Sequence, residues 1–519
     1  MFDFSMIDNI NRIIREGAQS CMTEREFMEK EISLFLSSPE RRMMVDGYRY
    51  YTGEQEILQK KRTAIGEDGK PVVLHNLPNS RLEDNQYRKM VIQKTNYLVG
   101  KPITFRSDNK AYAKALGKVF NKAFARKIKS VAKHSLNEGI CWIFPTYNDN
   151  GTLDFRVFPG YEVCPGWKDA EHSVLEYAYR IYPIRLFEGK NLERILWKVE
   201  VYTEHGIDYF ESPTGGISLT PCEPYHQDYL MVSDEEGNET GYNWSKIPLI
   251  PFKSNDDEIP LIKSAKSLQD AINTILSNFC DNMREDSRNT ILVLLNYDGQ
   301  DLGEFRENLA TYGAVKVNSD NGTEGGVSTL QVSVNAENYK AIIEILKKAI
   351  IENCMGYDAK DDRLAGSPNQ MNIQSMYNDI DLDANNMETE FQASMEQLLW
   401  FVNAHLANTG AGDFTGETVE VIFNRDMMMN ETDVINNIRN SEGILSDETL
   451  IAQHPWVTDP QAEMKRLEKQ KQENMEQYGF YDDLHQKAAG GKDPDDDPEG
   501  GDGSRTGKED KSGVKDGKQ

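Results

Sequence analysis

Apolar residues recur at Leu261, Ala265, Leu268, Ile272, Ile275, Phe279 and Met283. Steps of three and four residues put them on one face of a helix, predicted from Ile259 to about Asp286. Pro260 falls in the first turn, where a missing N–H is tolerated. The other face carries Lys263, Lys266, Asp270, Asn273, Asn278 and Asp281. Such a helix is about 40 Å long. A charge placed at Ile275 or Phe279 is expected to be buried without a partner and to disrupt folding or assembly.

A change of period follows at once. Thr290–Asn296 is β-branched and apolar, and Tyr297-Asp298-Gly299 is a turn signal. Ala314–Asn318 and Val327–Val334 read as two further strands, separated by the Gly-rich Asn318–Gly326. Asn335 can cap a helix that runs through Cys354, with Ile342, Ile345, Leu346, Ala349 and Ile350 on one side. Met355–Pro368, with two glycines, a proline and mixed charge, interrupts it. The helical rhythm then resumes from about Asn369 to Asn408 at Ile373, Met376, Ile380, Ala384, Met387, Phe391, Met395, Leu398 and Val402. Near 60 Å, this helix is longer than one domain's core and implies packing between subunits or along a rod.

The first hundred residues read as helical. Thr23 and Glu26 form a capping-box pattern, and Ser38-Pro39 starts a further helix. Gly66–Gly69 is a turn, and Tyr87–Leu98 reads as a helix stopped by Gly100 and Pro102. From Gly139 to about Phe252 the pattern is that of strands. Cys141–Tyr147 and Thr152–Phe158 flank Asn148-Asp149-Asn150-Gly151, a hairpin signal. Val419–Phe423 is a late strand. Thr432–Asn440, Ser446–Gln453 and Pro460–Gln477 form a helical block. Residues 488–519 carry almost no apolar side chains and cannot bury enough to order themselves. The fold class is α+β, multi-domain and mainly α-helical.

With 519 residues the chain can build several cores. No apolar run is long enough to cross a bilayer, and no basic-then-apolar leader opens it. Six scattered cysteines form no CxxC pair, which leaves zinc and disulfide frameworks unsupported. The formal charge of −27 disfavours tight DNA binding over the whole surface. It remains compatible with a conduit whose acidic wall lets phosphates slide without sticking. No G-x-x-x-x-G-K-[ST], H-E-x-x-H, G-x-S-x-G or G-x-G-x-x-G occurs, so no enzymatic activity and no cofactor is expected. Asp379, Asp381, Asp383 and Glu390 match four positions of a calcium loop, but Ala384 stands where the turn needs glycine. A solvated helix face is the better reading, and no metal site is assigned.

Several strings, in order, resemble tailed-bacteriophage portal proteins of the type found in long-tailed phages of Gram-positive hosts. They are Tyr50-Tyr51-Thr52-Gly53 with Ile57, Tyr97 through Ile103, Glu138-Gly139 with Trp142, and Ile247 through Phe252. Asp270 with Asn273, Ser277 and Asn278, then Leu382-Asp383, and Gly443 through Thr449 complete the set. The resemblance implies a ring, typically of twelve subunits, at one capsid vertex, through which double-stranded DNA enters and leaves. It implies a wing over residues 1–256, stem helices at 257–289 and 335–355, and a clip at 290–334. It further implies a tunnel loop at 356–368, a long wing helix and strand at 369–430, a crown at 431–487 and an acidic tail beyond. Leu268, Ile272, Ile275 and Phe279 would pack the stem. Asp358, Lys360, Asp361, Asp362 and Arg363 would face DNA, although their mixed charge departs from a basic ring. Asn296, Tyr297, Asp298, Asn318 and Asp320 would meet partners at the clip. Those partners would be the terminase large subunit, then a head-completion or adaptor protein, with major capsid and scaffolding proteins nearby and no membrane. The place of action would be the virion, after assembly in host cytoplasm. Two other readings stay open on the residues alone: a helical scaffold or adaptor, and an enzyme that uses some of the many carboxylates.

Overall fold

The computed structural model describes residues 17, 21–65, 70–74, 77–148, 151–188, 192–212, 218–233, 239–286, 290–295, 326–331, 336–359, 370–425, 431–457 and 463–473. The chain divides into two compact units, Met1–Met428 and Met429–Gln519. Helices and sheets are mixed in the first, as the α+β reading expects.

Local signals set the early boundaries. The Thr23 hydroxyl accepts the Glu26 N–H while the Glu26 carboxylate accepts the Thr23 N–H, opening α1 (Glu24–Ser37) with a complete capping box. Ser38 caps α2 (Pro39–Thr52), with proline in its first turn. A short antiparallel pair, β1 (Thr63–Ile65) and β2 (Pro71–Val73), interrupts the expected run of helices. Helix α3 (Gln86–Val99), strand β3 (Thr104–Arg106), α4 (Lys110–Val119) and α5 (Lys122–Glu138) follow.

The hairpin signal is borne out. Strands β4 (Ile140–Tyr147) and β5 (Leu153–Pro159) pair antiparallel, with Gly151 at φ +69° and the Asn148 side chain accepting the Thr152 N–H. Strands β6 (Val163–Trp167), β7 (Leu175–Glu188), β8 (Leu192–Thr203), β9 (Gly206–Ser212) and β10 (Thr220–Gln227) form one antiparallel sheet in the order β10-β9-β8-β7-β6. A small pair, β11 (Leu230–Ser233) with β12 (Glu239–Tyr242), precedes β13 (Ile250–Lys253), which joins β4 and β5 as a three-stranded sheet. Period two distributes the side chains. From β4, Trp142 and Phe144 pack against Ala178 and Tyr202 of the larger sheet, while Cys141 and Ile143 face the helical core. On its far side the larger sheet packs Tyr179, Ile181, Val199 and Val201 against Met28 and Ile32 of α1.

The pattern of long helices also holds: α6 (Ile262–Asp286), β14 (Thr290–Leu295), β15 (Gly326–Gln331), α7 (Ala336–Asn353) and α8 (Gln370–Asn408). β14 and β15 pair antiparallel; the third expected strand, Ala314–Asn318, lies outside the described residues. Helix α8 has 39 residues, about 58 Å. Its length does not by itself require a second subunit, because successive stretches serve two clusters of the same chain. Ile373, Met376, Tyr377, Ile380 and Ala384 pack with Tyr97, and Met387, Phe391, Met395 and Leu398 join the main helical core. Strand β16 (Glu420–Ile422) returns to pair with β3 across more than three hundred residues, Val421 opposite Phe105.

The second unit contains α9 (Glu431–Asn440), α10 (Asp447–Ala452), capped by Ser446, and a helical stretch at 463–473. Trp456 Nε1 donates to Glu431 at 3.1 Å. No helix among the described residues is long and apolar enough to cross a membrane.

Candidate functional site at the helix junction

Helix α6 is held by a polar seam as well as by its apolar face. Gln269, Asn273, Ser277 and Asp281 lie four residues apart and are all buried, none more than 2% exposed. They form one stripe along the helix. Opposite them runs a segment, 78–85, that is neither helix nor strand. Its buried N–H groups need partners, and the stripe supplies them. The Ser80 N–H donates to Asp281 at 2.6 Å, Leu82 to Ser277 Oγ at 2.9 Å and Asp84 to Asn273 Oδ1 at 2.9 Å. The Tyr87 N–H donates to Gln269 Oε1 at 3.0 Å, and Gln269 Nε2 donates back to the Asp84 carbonyl at 2.7 Å. Asn273 Nδ2 also donates to Gln55. Burial pushes the Asp281 carboxyl up, but the Ser80 hydrogen bonds and Lys60, 3.1 Å away, outweigh it and hold the group below its usual range.

The apolar face falls largely where the periodicity puts it. Ile272 is fully buried, and Leu268, Ile275 and Phe279 are half-buried. The Phe279 ring meets Tyr339 of α7, centroids 4.9 Å apart. On the opposite face, Asn273 and Asp281, expected in solvent with the other polar residues, are instead buried. Hydrophobicity could not reveal this, since their role is to satisfy backbone donors. Beyond this seam, α6 exposes Met283, and α7 exposes Ile342 and Ile345, the last at 66%.

Helix α7 ends in a Schellman arrangement, with the Gly356 N–H bonded to the Ile351 carbonyl and Met355 N–H to that of Glu352. Met355, not glycine, takes the left-handed position at φ +50°. A Cβ at Gly356 would come within 2.7 Å of Met90 Sδ and 2.9 Å of Gln93 Oε1, side-chain ends that would have to move aside. Gln93 of α3 then grips the next residue on both sides: its Nε2 donates to the Tyr357 carbonyl at 2.9 Å, and its Oε1 accepts the Tyr357 N–H at 3.2 Å. The Tyr357 ring meets Tyr377 of α8, which stacks on Tyr97 of α3. Buried Lys94 of α3 pairs with Asp383 at 2.5 Å, and Asp381 accepts from Tyr97 and Arg425. One helix, α3, therefore fixes the chain on both sides of residues 360–369.

Asp379, Asp381 and Asp383 lie within one helix, as expected; Asp379 is exposed and the Asp381 side chain stays 42% exposed while accepting from Tyr97 and Arg425, whereas Asp383 pairs with Lys94. Asp358 is half-buried at the described end of the loop. Lys360, Asp361, Asp362 and Arg363 lie outside the described residues, as do Asn296, Tyr297, Asp298, Asn318 and Asp320. Gln269 and the anchoring roles of Gln93 and Lys94 were not among the residues expected from the sequence. The polar positions four residues apart on an otherwise apolar helix were the available signal for the seam.

A model of the family described as phage portal protein, SPP1 Gp6-like, matches residues 40–477. The portal protein of Bacillus phage SPP1 is 28% identical over 475 residues, covering 91% of this chain and 90% of its own. The portal protein of Clostridium phage phiCD119 is 26% identical over 443 residues, covering 83% and 93%. Among solved structures, a chain from the neck of a native gene transfer agent particle, computed with C12 symmetry, is similar at 12% identity and a TM-score of 0.37, covering 71% of this chain and 88% of its own.

Proposed function

The chain belongs to the SPP1 Gp6-like family of phage portal proteins, and from that premise we propose that its copies close into a ring, a non-enzymatic channel through which double-stranded DNA is packaged and ejected. In this reading α6 and α7 are the stem, residues 290–334 the clip, 356–368 the tunnel loop, α8 with β16 part of the wing, and 431–487 the crown. The clip docks the terminase large subunit during packaging and a head-completion or adaptor protein afterwards. Twelve is the expected subunit number.

The observation that supports ring closure is the exposed apolar surface of the helix pair: Ile342 and Ile345 on α7, Met283 on α6. Exposed apolar residues grouped on paired helices mark association surfaces, and heterologous contacts leave no open ends only when they close. The test is end-on electron microscopy and mass measurement of the full chain beside an Ile342→Asp/Ile345→Asp variant. Wild-type protein should give closed rings. The variant should stay folded, since both positions are exposed, but lose rings. Wild-type protein that is only monomer or dimer at every concentration and salt would overturn the proposal.

A further inference from the structure

In a chain of net charge −27, residues 110–133 carry eight Lys and Arg and no Asp or Glu. They fall on α4 and α5, where Lys110, Lys114 and Lys118 follow one another at four-residue spacing, as do Lys122 and Arg126. Like charges at that spacing repel each other along an exposed helix face, and Lys114, Lys118, Lys122 and Arg126 are all exposed. Lys127 has its own acid, Asp154. Lys118, Lys122, Arg126 and Lys129 have no ion-pair partner among the described residues.

Beside this band lies a cleft of about 590 Å³, within the range of pockets that bind ligands. Its floor is Pro102, Ile103, Phe105, Phe120, Phe124 and Ile128. The aromatic rings are locked together: Phe105 stacks on Phe120 at 4.3 Å, and Phe124 meets Phe120 and Phe155 edge-on. The cations Lys101, Lys122, Arg126 and Lys129 line the same cleft, and no acid does.

We propose that this cleft docks an acidic segment of a partner protein, with one or two aromatic or aliphatic side chains seated on the phenylalanine floor and carboxylates on the basic rim. Charge complementarity selects the acidic partner, and the apolar floor selects protein over nucleic acid. Duplex phosphates could meet the rim, but they would leave the floor empty and in water. A preformed, rigid floor also lowers the ordering cost of binding. The cleft adjoins the C-terminal end of α3, where Lys101 donates to the Arg425 carbonyl at 3.3 Å, and the inference does not depend on ring closure.

The test uses the full-length protein and a labelled synthetic helix of about 16 residues, with Glu and Asp around a Phe and a Leu four positions apart, the usual spacing of groove anchors. Saturable binding that weakens about tenfold or more in Lys122→Glu/Arg126→Glu, and again in the cleft-filling Ala125→Trp, supports the proposal. Absence of saturable binding overturns it. So does equal binding by a peptide with Phe and Leu replaced by Ser, which marks charge attraction alone. Equal competition by a short DNA duplex assigns the surface to nucleic acid instead. A changed sedimentation profile in the charge-reversed variant, at unchanged circular dichroism, assigns it to a second copy of this chain.

Discussion

Asn273 is fully buried on α6 and has hydrogen-bonding partners on three sides: the Asp84 N–H, Gln269 Nε2 and Gln55. Removing it strands buried polar groups, and the cost is the desolvation of each group left unpaired. Asn273→Leu should therefore lower unfolding free energy by about 2–4 kcal/mol. Asn278, exposed on the same helix and bonded to Lys60 at 2.7 Å, should tolerate Ala with a loss of less than about 1 kcal/mol. Chemical denaturation of the two variants side by side checks the contrast; equal losses would mean that the seam carries no special weight. Asp281 adds a pH dependence. Its folded-state carboxyl is held below the ordinary range, so its contribution is present above the unfolded value of about 3.9 and is lost as pH falls through the lower folded value. Thermal melts of Asp281→Asn should accordingly fall less steeply than wild type below about pH 4.

At the scale of elements, the junction between α7 and α8 has fixed ends. Gly356→Ala would push a methyl against Met90 and Gln93 and loosen the grip on Tyr357. We expect a loss of about 1–2 kcal/mol, seen as faster amide exchange across 355–359 with little change in the sheets. On the proposed reading, the adjacent Lys360 and Arg363 would face DNA. Changing both to Ala should leave rings intact while slowing packaging or weakening DNA retention in vitro, an effect that shrinks as salt rises. Unchanged packaging at all salt concentrations would remove the loop from the mechanism. The helices and the β4–β5 hairpin were legible because period, caps and turn chemistry act locally. The pairing of β3 with β16 was not, since three residues at each end of a three-hundred-residue separation leave no periodic trace. The seam was hidden for another reason: pattern reading assigns polar residues to solvent, whereas Asn273 and Asp281 are inside because the neighbouring backbone needs acceptors. Some of the strings behind the resemblance, by contrast, meet at these anchors, with Tyr50 donating to Asp270, and Asn273 and Ser277 in the seam.

For the whole molecule, the charge distribution is more informative than the total. A sum of −27 suits a conduit that must not hold its cargo, and the basic band of α4 and α5 stands against that background. Long-range attraction between unlike surfaces is screened beyond about 10 Å at 0.1 M salt. Contacts that rest on the band alone should therefore weaken with salt, while those that rest on Ile342 and Ile345 should persist. Sedimentation of the full chain across a salt series separates the two: oligomers that survive high salt in wild type and are lost in Ile342→Asp/Ile345→Asp belong to the apolar helix pair.

The seam on α6 also has a pitch. Four residues of helix advance about 6.0 Å, and two residues of extended chain about 6.6 Å. Side chains at 281, 277 and 273 meet amides at 80, 82 and 84 like two rulers with nearly equal divisions. The mismatch grows by roughly 0.6 Å at each step, so such a pairing cannot run far before the marks part. Here the last step spans three residues, 84 to 87, where the chain is already shortening into α3. The scale is thus reset at the point where drift would begin to matter. It also means that adding or removing one residue between 80 and 84 would turn alternate amides away from every mark at once, making this short, irregular connection as intolerant of length change as a central strand.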